Sequence, residues 1–155
     1  MNKIIISAQN KCFYTPYYSY EEHSFFTLPN SPCDYSISLG KTQLCLDVSA
    51  VDNIICCLNG YSNEKKWIEK QLEIPKSQQA RLIFDVLDQP IKGIGLSYPM
   101  GSNIYFDSNM NTLCICDDVY MNYNKYITIE FNENTYATIQ KNQIIAIWIK
   151  PLFVK

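Results

Sequence analysis

The chain has 155 residues, 47% hydrophobic and 18% charged. That apolar share excludes a disordered chain, and a domain of this length buries about 70% of its unfolded surface, enough for a core without covalent staples. Fifteen acidic against thirteen basic residues leave a net charge of −2, which argues against a basic nucleic-acid binder, since phosphate binding needs a clustered positive surface. No run approaches the roughly 18 apolar residues of a membrane span. The N-terminal run Ile4-Ile5-Ile6 is shorter than the roughly 7–15 residues of a signal-peptide core, so the expected location is the cytoplasm. Seven cysteines cannot all pair within one chain, and most sit in apolar runs such as Leu44-Cys45-Leu46 and Ile55-Cys56-Cys57-Leu58. They read as free, buried thiols. Neither Cys56-Cys57 nor Cys114-x-Cys116 has zinc-ligand spacing, and His23 is the only histidine, so no metal or cofactor is expected.

Strands dominate the chain. Lys3–Ala8 is a short β-branched run, and residues 9–39 carry Pro16, Pro29 and Pro32 among aromatics, the pattern of an irregular segment. Tyr35–Leu39, at its end, and Gln43–Val48 flank Gly40-Lys41-Thr42 as a hairpin; Leu44, Leu46 and Val48 alternate with polar or small residues. Asn53–Leu58 precedes the turn signal Asn59-Gly60. Residues 62–74 predict a short helical turn leading into a strand that stops at Pro75. Arg81–Leu87 alternates again, and Gly93–Tyr98 is a glycine-weakened strand.

The last third is the clearest. Asn103–Asp107 and Thr112–Asp117 flank an Asn-rich turn, then Lys125–Phe131, Thr135–Gln140 and Ile144–Lys150 follow with tight turns between them. Within the final strand, Ile145, Ile147 and Ile149 are expected on the face opposite Trp148, both faces being apolar and covered. Regularly spaced short strands predict one mainly β domain over 1–155, an antiparallel meander forming a sandwich or a partly closed barrel, with at most one or two short helices and a strand-rich body at 40–151.

Catalytic motifs are weak. Gly95-Leu96-Ser97-Tyr98-Pro99 lacks the second glycine of a nucleophile elbow, and Gly93-Ile94-Gly95 has Tyr98 where a dinucleotide fingerprint needs glycine. A Cys12–His23 pair has no recognisable setting. The run from Asp107 to Asp118 resembles a calcium loop, but Thr112 replaces its glycine and Asp118 its final Glu, so a hairpin turn explains it. Adjacent carboxylates such as Asp117 and Asp118 on one strand point to opposite faces and make a poor catalytic pair. No enzyme is expected.

Charge is more informative. Residues 93–135 hold Asp107, Asp117, Asp118, Glu130 and Glu133 against Lys125 alone, interleaved with Tyr105, Tyr120, Tyr123 and Tyr126. Tyrosine supplies rigid amphipathic contact area and carboxylates seek cations, so Asp107, Asp117, Asp118, Tyr120, Tyr123, Glu130 and Glu133 are the expected partner-binding residues. A solvated face with tyrosines at its apolar edge is the bland alternative.

The order Asn59-Gly60-Tyr61, Trp67-Ile68, Leu72, Pro75, Arg81-Leu82, Gly93/Gly95, the Asp107 hairpin ending Leu113-Cys114-Ile115-Cys116, Glu130-Phe131, Asn134-Thr135-Tyr136-Ala137 and Ala146-Ile147-Trp148-Ile149-Lys150-Pro151 resembles small cytosolic immunity proteins of bacterial contact-dependent growth inhibition and polymorphic toxin systems. The resemblance spans about residues 40–151 and rests mostly on turn and core positions. It implies a non-enzymatic inhibitor that blocks the active site of a cognate toxin domain; many such toxins are nucleases with basic clefts, which an acidic, tyrosine-rich face complements. The other reading is a small-ligand or carbohydrate-binding β-sandwich, with the aromatic run at 12–20 as a stacking platform.

Overall fold

A computed structural model describes residues 3–85 and 96–155. The strands in chain order are β1 (Lys3–Ser7), β2 (Thr15–Ser19), β3 (Ser24–Leu28), β4 (Tyr35–Leu39), β5 (Leu44–Ser49), β6 (Ile54–Tyr61), β7 (Ile68–Glu69) and β8 (Ser77–Gln79). They continue with β9 (Arg81–Asp85), β10 (Leu96–Tyr98), β11 (Asn103–Asp107), β12 (Thr112–Cys116), β13 (Ile127–Asn132), β14 (Thr135–Gln140), β15 (Gln143–Ile149) and β16 (Leu152–Val154). The described helical pieces are single 3-10 turns at Glu64–Lys66 and Tyr123–Lys125.

Alternation builds the core. Tyr35, Ile37 and Leu39 of β4 and Leu44, Leu46 and Val48 of β5 all face inward. So do Leu113 and Ile115 of β12, Ile129 and Phe131 of β13, and Ile147 and Ile149 of β15. The first sheet runs β10-β4-β5-β6-β3-β2-β16, with β9 branching from β6 and carrying β1; the second runs β7-β11-β12-β15-β14-β13-β8. Their inner faces share one apolar cluster, so the molecule is a β-sandwich with its sheets left open. A second cluster lies on the outer face of the second sheet, where Leu72, Ile74, Val119, Met121 and Tyr123 cover Cys114, Cys116, Ala146 and Trp148. Strand β15 is therefore interior on both faces.

Turn chemistry sets the hairpins. Asn53, Asn111 and Asn134 take left-handed φ of 55°, 51° and 48°, and the two-residue loop Lys141-Asn142 has φ of 50° and 61°, as a type I′ hairpin requires.

Five expectations change. The strand expected to stop at Pro75 is only Ile68–Glu69, paired with β11, and residues 70–76 continue as an irregular strap. Residues 9–39 are not irregular throughout: β2 and β3 form a hairpin there, and β4 closes the segment. Aromatic β-formers Tyr17, Tyr18, Phe25 and Phe26 prevail, and Pro16 is tolerated because the β16 partner of β2 begins only at Tyr17. Asn59-Gly60 is not a turn but part of β6, where Gly60 (φ +117°) allows close approach: a Cβ there would lie 2.6 Å from Gln43 O. Ile145 does not share a face with Ile147. A bulge opposite Thr138 and Ile139 makes it the extra residue, sending Ile144 to the core and Ile145 to the outer cluster. The sheets are also not purely antiparallel, since β7, β8, β10 and β16 add in parallel. The glycines Gly93 and Gly95 and the end of the Arg81–Leu87 run lie outside the described residues.

Candidate partner-binding surface

The seven expected contact residues do not form one face. They divide into three places, because the register puts their carriers at different ends of the second sheet. Asp117 follows β12 at the end marked by the Gln140/Gln143 turn; Glu133 lies in the β13–β14 turn at the other end. Asp107 is at that far end too, but on β11, four strand positions from β13.

Asp107 is a buried scaffold residue, 2% exposed. Its Oδ2 accepts the Leu72 amide at 2.9 Å and its Oδ1 the Asn109 and Met110 amides at 3.0 and 3.3 Å. The Leu72 amide in particular holds its carboxyl below the usual range, against the opposing effect of burial. It closes the β11–β12 turn and ties down the 70–76 strap. Glu130 is likewise committed: Lys11 Nζ lies 2.7 Å from its Oε2, and the Asn134 amide donates to the same oxygen at 3.1 Å. Glu133 approaches Lys11 at 3.6 Å. Lys11 is itself buried, 6% exposed, in a segment whose Cys12 amide bonds Phe131 O along the β13 edge. Spacing gives no hint of this pairing across 119 residues.

The third place is the loop from Asp117 to Lys125. Asp117 Oδ1 accepts the Gly101 amide (3.2 Å), the Ser102 amide (2.8 Å) and the Ser102 hydroxyl (2.6 Å). Asp118 Oδ1 accepts the Tyr120 amide at 2.9 Å. Tyr123 is buried edge-on against Trp148, ring centroids 5.5 Å apart, and its hydroxyl donates to Asp118 O at 2.5 Å. Tyr123 therefore anchors the loop from beneath. Tyr120 stands 84% exposed, with Lys70 Nζ 5.2 Å from its ring. Both Asp117 and Asp118 are exposed, and among the described residues neither makes an ion pair. A cleft of about 280 Å³ beside them is lined by Tyr98, Met100, Asp117, Asp118, Met121 and Ile145. The sequence carries no signal for Lys70 or Met121 here, since only packing of the 70–76 strap and this loop against β15 brings them together.

Cys12 and His23 have different partners: Cys12 lies by Cys56 and Arg81, and the Cys56 hydrogen bond in particular lowers its thiol to about 7 against the opposing effect of burial. His23 Nδ1 meets Glu64 Oε2 at 2.7 Å, a pairing that involves no cysteine. No group of three or more His, Cys, Asp or Glu side chains there is arranged to hold a metal ion. No described helix is long and apolar enough to cross a membrane. Within the aromatic run at 12–20, Tyr18 is fully buried in the core, Tyr17 stacks on Phe26 at 5.3 Å, and Phe13 and Tyr20 are exposed.

All seven thiols are free, and three converge on one carboxylate on the outer face of the first sheet. Asp47, 3% exposed, receives Cys33 Sγ at 3.2 Å, Cys57 Sγ at 3.6 Å, Cys45 Sγ at 3.9 Å and Asn59 Nδ2 at 3.1 Å. Burial and the Asp47 hydrogen bond push the Cys33 thiol up to about 12; burial and the Asp47 charge push Cys45 up to about 11. Cys33 is exposed as a residue, but its sulfur turns in to Asp47. Iodoacetamide at about pH 8 is therefore expected to alkylate native Cys33 far more slowly than the unfolded thiol, and Asp47→Asn to speed it, because only the thiolate reacts. Mass spectrometry of the labelled peptide checks this; native labelling at the unfolded rate contradicts it. The raised values also mean that the folded state retains protons. Their contribution to stability is complete below the ordinary value of 9.0 and is lost as pH climbs towards 11 and 12.

The chain matches no known family model, and no curated protein sequence matches it.

Proposed function

We propose that this protein is a non-catalytic inhibitor of the immunity type, which neutralises a cognate bacterial toxin domain by covering a basic surface with the Asp117–Tyr123 loop. The observation that carries the reading is the exposed Tyr120 ring set beside two carboxylates that make no ion pair among the described residues. A tyrosine on a loop braced from below by Tyr123 loses little entropy on binding, and Asp117 and Asp118 complement lysines or arginines around it. Cytoplasmic residence and a nuclease toxin belong to the same proposal, since a basic substrate cleft is the surface an acidic loop would block. Protection at low toxin levels requires about nanomolar affinity, roughly −12 kcal/mol.

The test uses Tyr120→Ala and Asp118→Lys, because Asp117 and Tyr123 also hold the loop together. With the fold verified by circular dichroism, binding to the toxin domain encoded beside this gene is measured by calorimetry, and protection by co-expression. Tyr120→Ala is expected to cost about 2 kcal/mol or more if the ring is an anchor, and Asp118→Lys to slow association and reduce its salt dependence. Folded variants that keep wild-type affinity and protection would show the loop to be a solvated face.

A further inference from the structure

A different cleft, of about 380 Å³, opens where the two sheets meet at one edge. One wall is the β4–β5 turn of the first sheet, with Lys41 and Gln43; the other is the start of β11, with Asn103 and Ile104. The 3-10 turn brings Lys66, and β7 brings Ile68, which is 45% exposed. No carboxylate lines the cleft among the described residues. Among the described residues neither Lys41 nor Lys66 makes an ion pair, and the nearby Glu64 is engaged by Tyr18 and His23 at 2.7 Å each. Trp67 contributes to the lining, its indole Nε1 donating to Ser62 Oγ at 2.8 Å.

From this juxtaposition of two ammonium groups on separate elements, side-chain amides and the apolar side chains Ile68 and Ile104, we infer that the cleft binds a small phosphate monoester bearing an apolar group. A dianion matches the two lysines, Gln43 and Asn103 supply amide donors, and Ile68 and Ile104 take the apolar substituent. The walls are strand ends and tight turns of the sandwich itself, so the site is largely preformed. The backbones behind the two walls are joined, the Lys41 amide donating to Gly101 O at 3.2 Å, and Gly40 permits that approach, since a Cβ on it would lie 2.6 Å from Gly101 O. The inference is independent of the toxin reading, since the cleft and the Tyr120 loop are lined by different residues.

Phenyl phosphate is the probe, followed by calorimetry and by the Trp67 indole N–H resonance in a heteronuclear NMR titration. Saturable binding in about the millimolar range or tighter is expected. Lys41→Gln with Lys66→Gln should weaken it by about tenfold or more, equivalent to roughly 1.4 kcal/mol. Lys65→Gln, an exposed neighbour that does not line the cleft, should leave it unchanged. The inference is overturned by no saturable shift up to about 10 mM, a range in which even weak sites report. An equal loss in Lys65→Gln, or equally tight binding of neutral phenol, overturns it too.

Discussion

Ile147→Asp is expected to unfold the protein. Ile147 is fully buried at the centre of β15, paired with Ile115 on one side and Ala137 on the other, and it faces the apolar core between the sheets. No cation lies among the residues of that cluster to meet a carboxylate. The substitution removes an aliphatic side chain, at about 2–5 kcal/mol, and adds the several kcal/mol of burying an ionised or forcibly protonated acid. Together these approach the whole margin of about 5–15 kcal/mol by which domains are stable. Thermal and urea denaturation check it, with Ile147→Val as a control expected to cost about 0.5–1.5 kcal/mol. A domain this size shifts its Tm by about 2–4 °C per kcal/mol, so a variant melting within a degree or two of the parent would place β15 outside the core.

Lys11→Met should be the next most damaging change, and it separates structure from recognition. The Lys11 ammonium is almost wholly buried, and it compensates Glu130, whose side chain is only 12% exposed. Removing the cation strands that carboxylate, at a cost of about 3–5 kcal/mol. Lys11→Met combined with Glu130→Gln should recover much of the loss, because neither charge then remains to be solvated. The double-mutant cycle should give a coupling of about 0.5–3 kcal/mol. Additive effects would show that the pair is not coupled. Under the proposed inhibitor role, any loss of protection in Glu130→Gln should then track its melting temperature, whereas loss in Tyr120→Ala should occur at unchanged stability.

Much of the architecture is written in local pattern. The alternation in Leu44–Val48 and Lys125–Phe131, and the Asn-rich turns at 108–111, 132–134 and 141–143, specify strands and hairpins because the two-residue side-chain period and left-handed turn residues act locally. What escaped that reading has long-range causes. Strand β2 is obscured by Pro16, whose tolerance depends on how far β16 extends. The bulge that turns Ile144 inward depends on pairing with β14, and Gly60 reads as a turn until the backbone of Gln43 is beside it.

The candidate site follows the same division. Composition and spacing alone determined a β-rich domain, free thiols, and a segment dense in acids and tyrosines. They did not determine which of those acids face solvent. Asp107, Asp118 and Glu130 have the same chemistry and similar neighbours in sequence. Yet Asp107 caps a turn beneath a strap, Glu130 is neutralised by a lysine 119 residues away, and Asp118 stays exposed to solvent while accepting the Tyr120 amide. Tertiary structure alone decided this, because the field at a carboxylate is set by whatever lies within a few ångströms in space, and strand pairing brings together residues that the chain keeps apart.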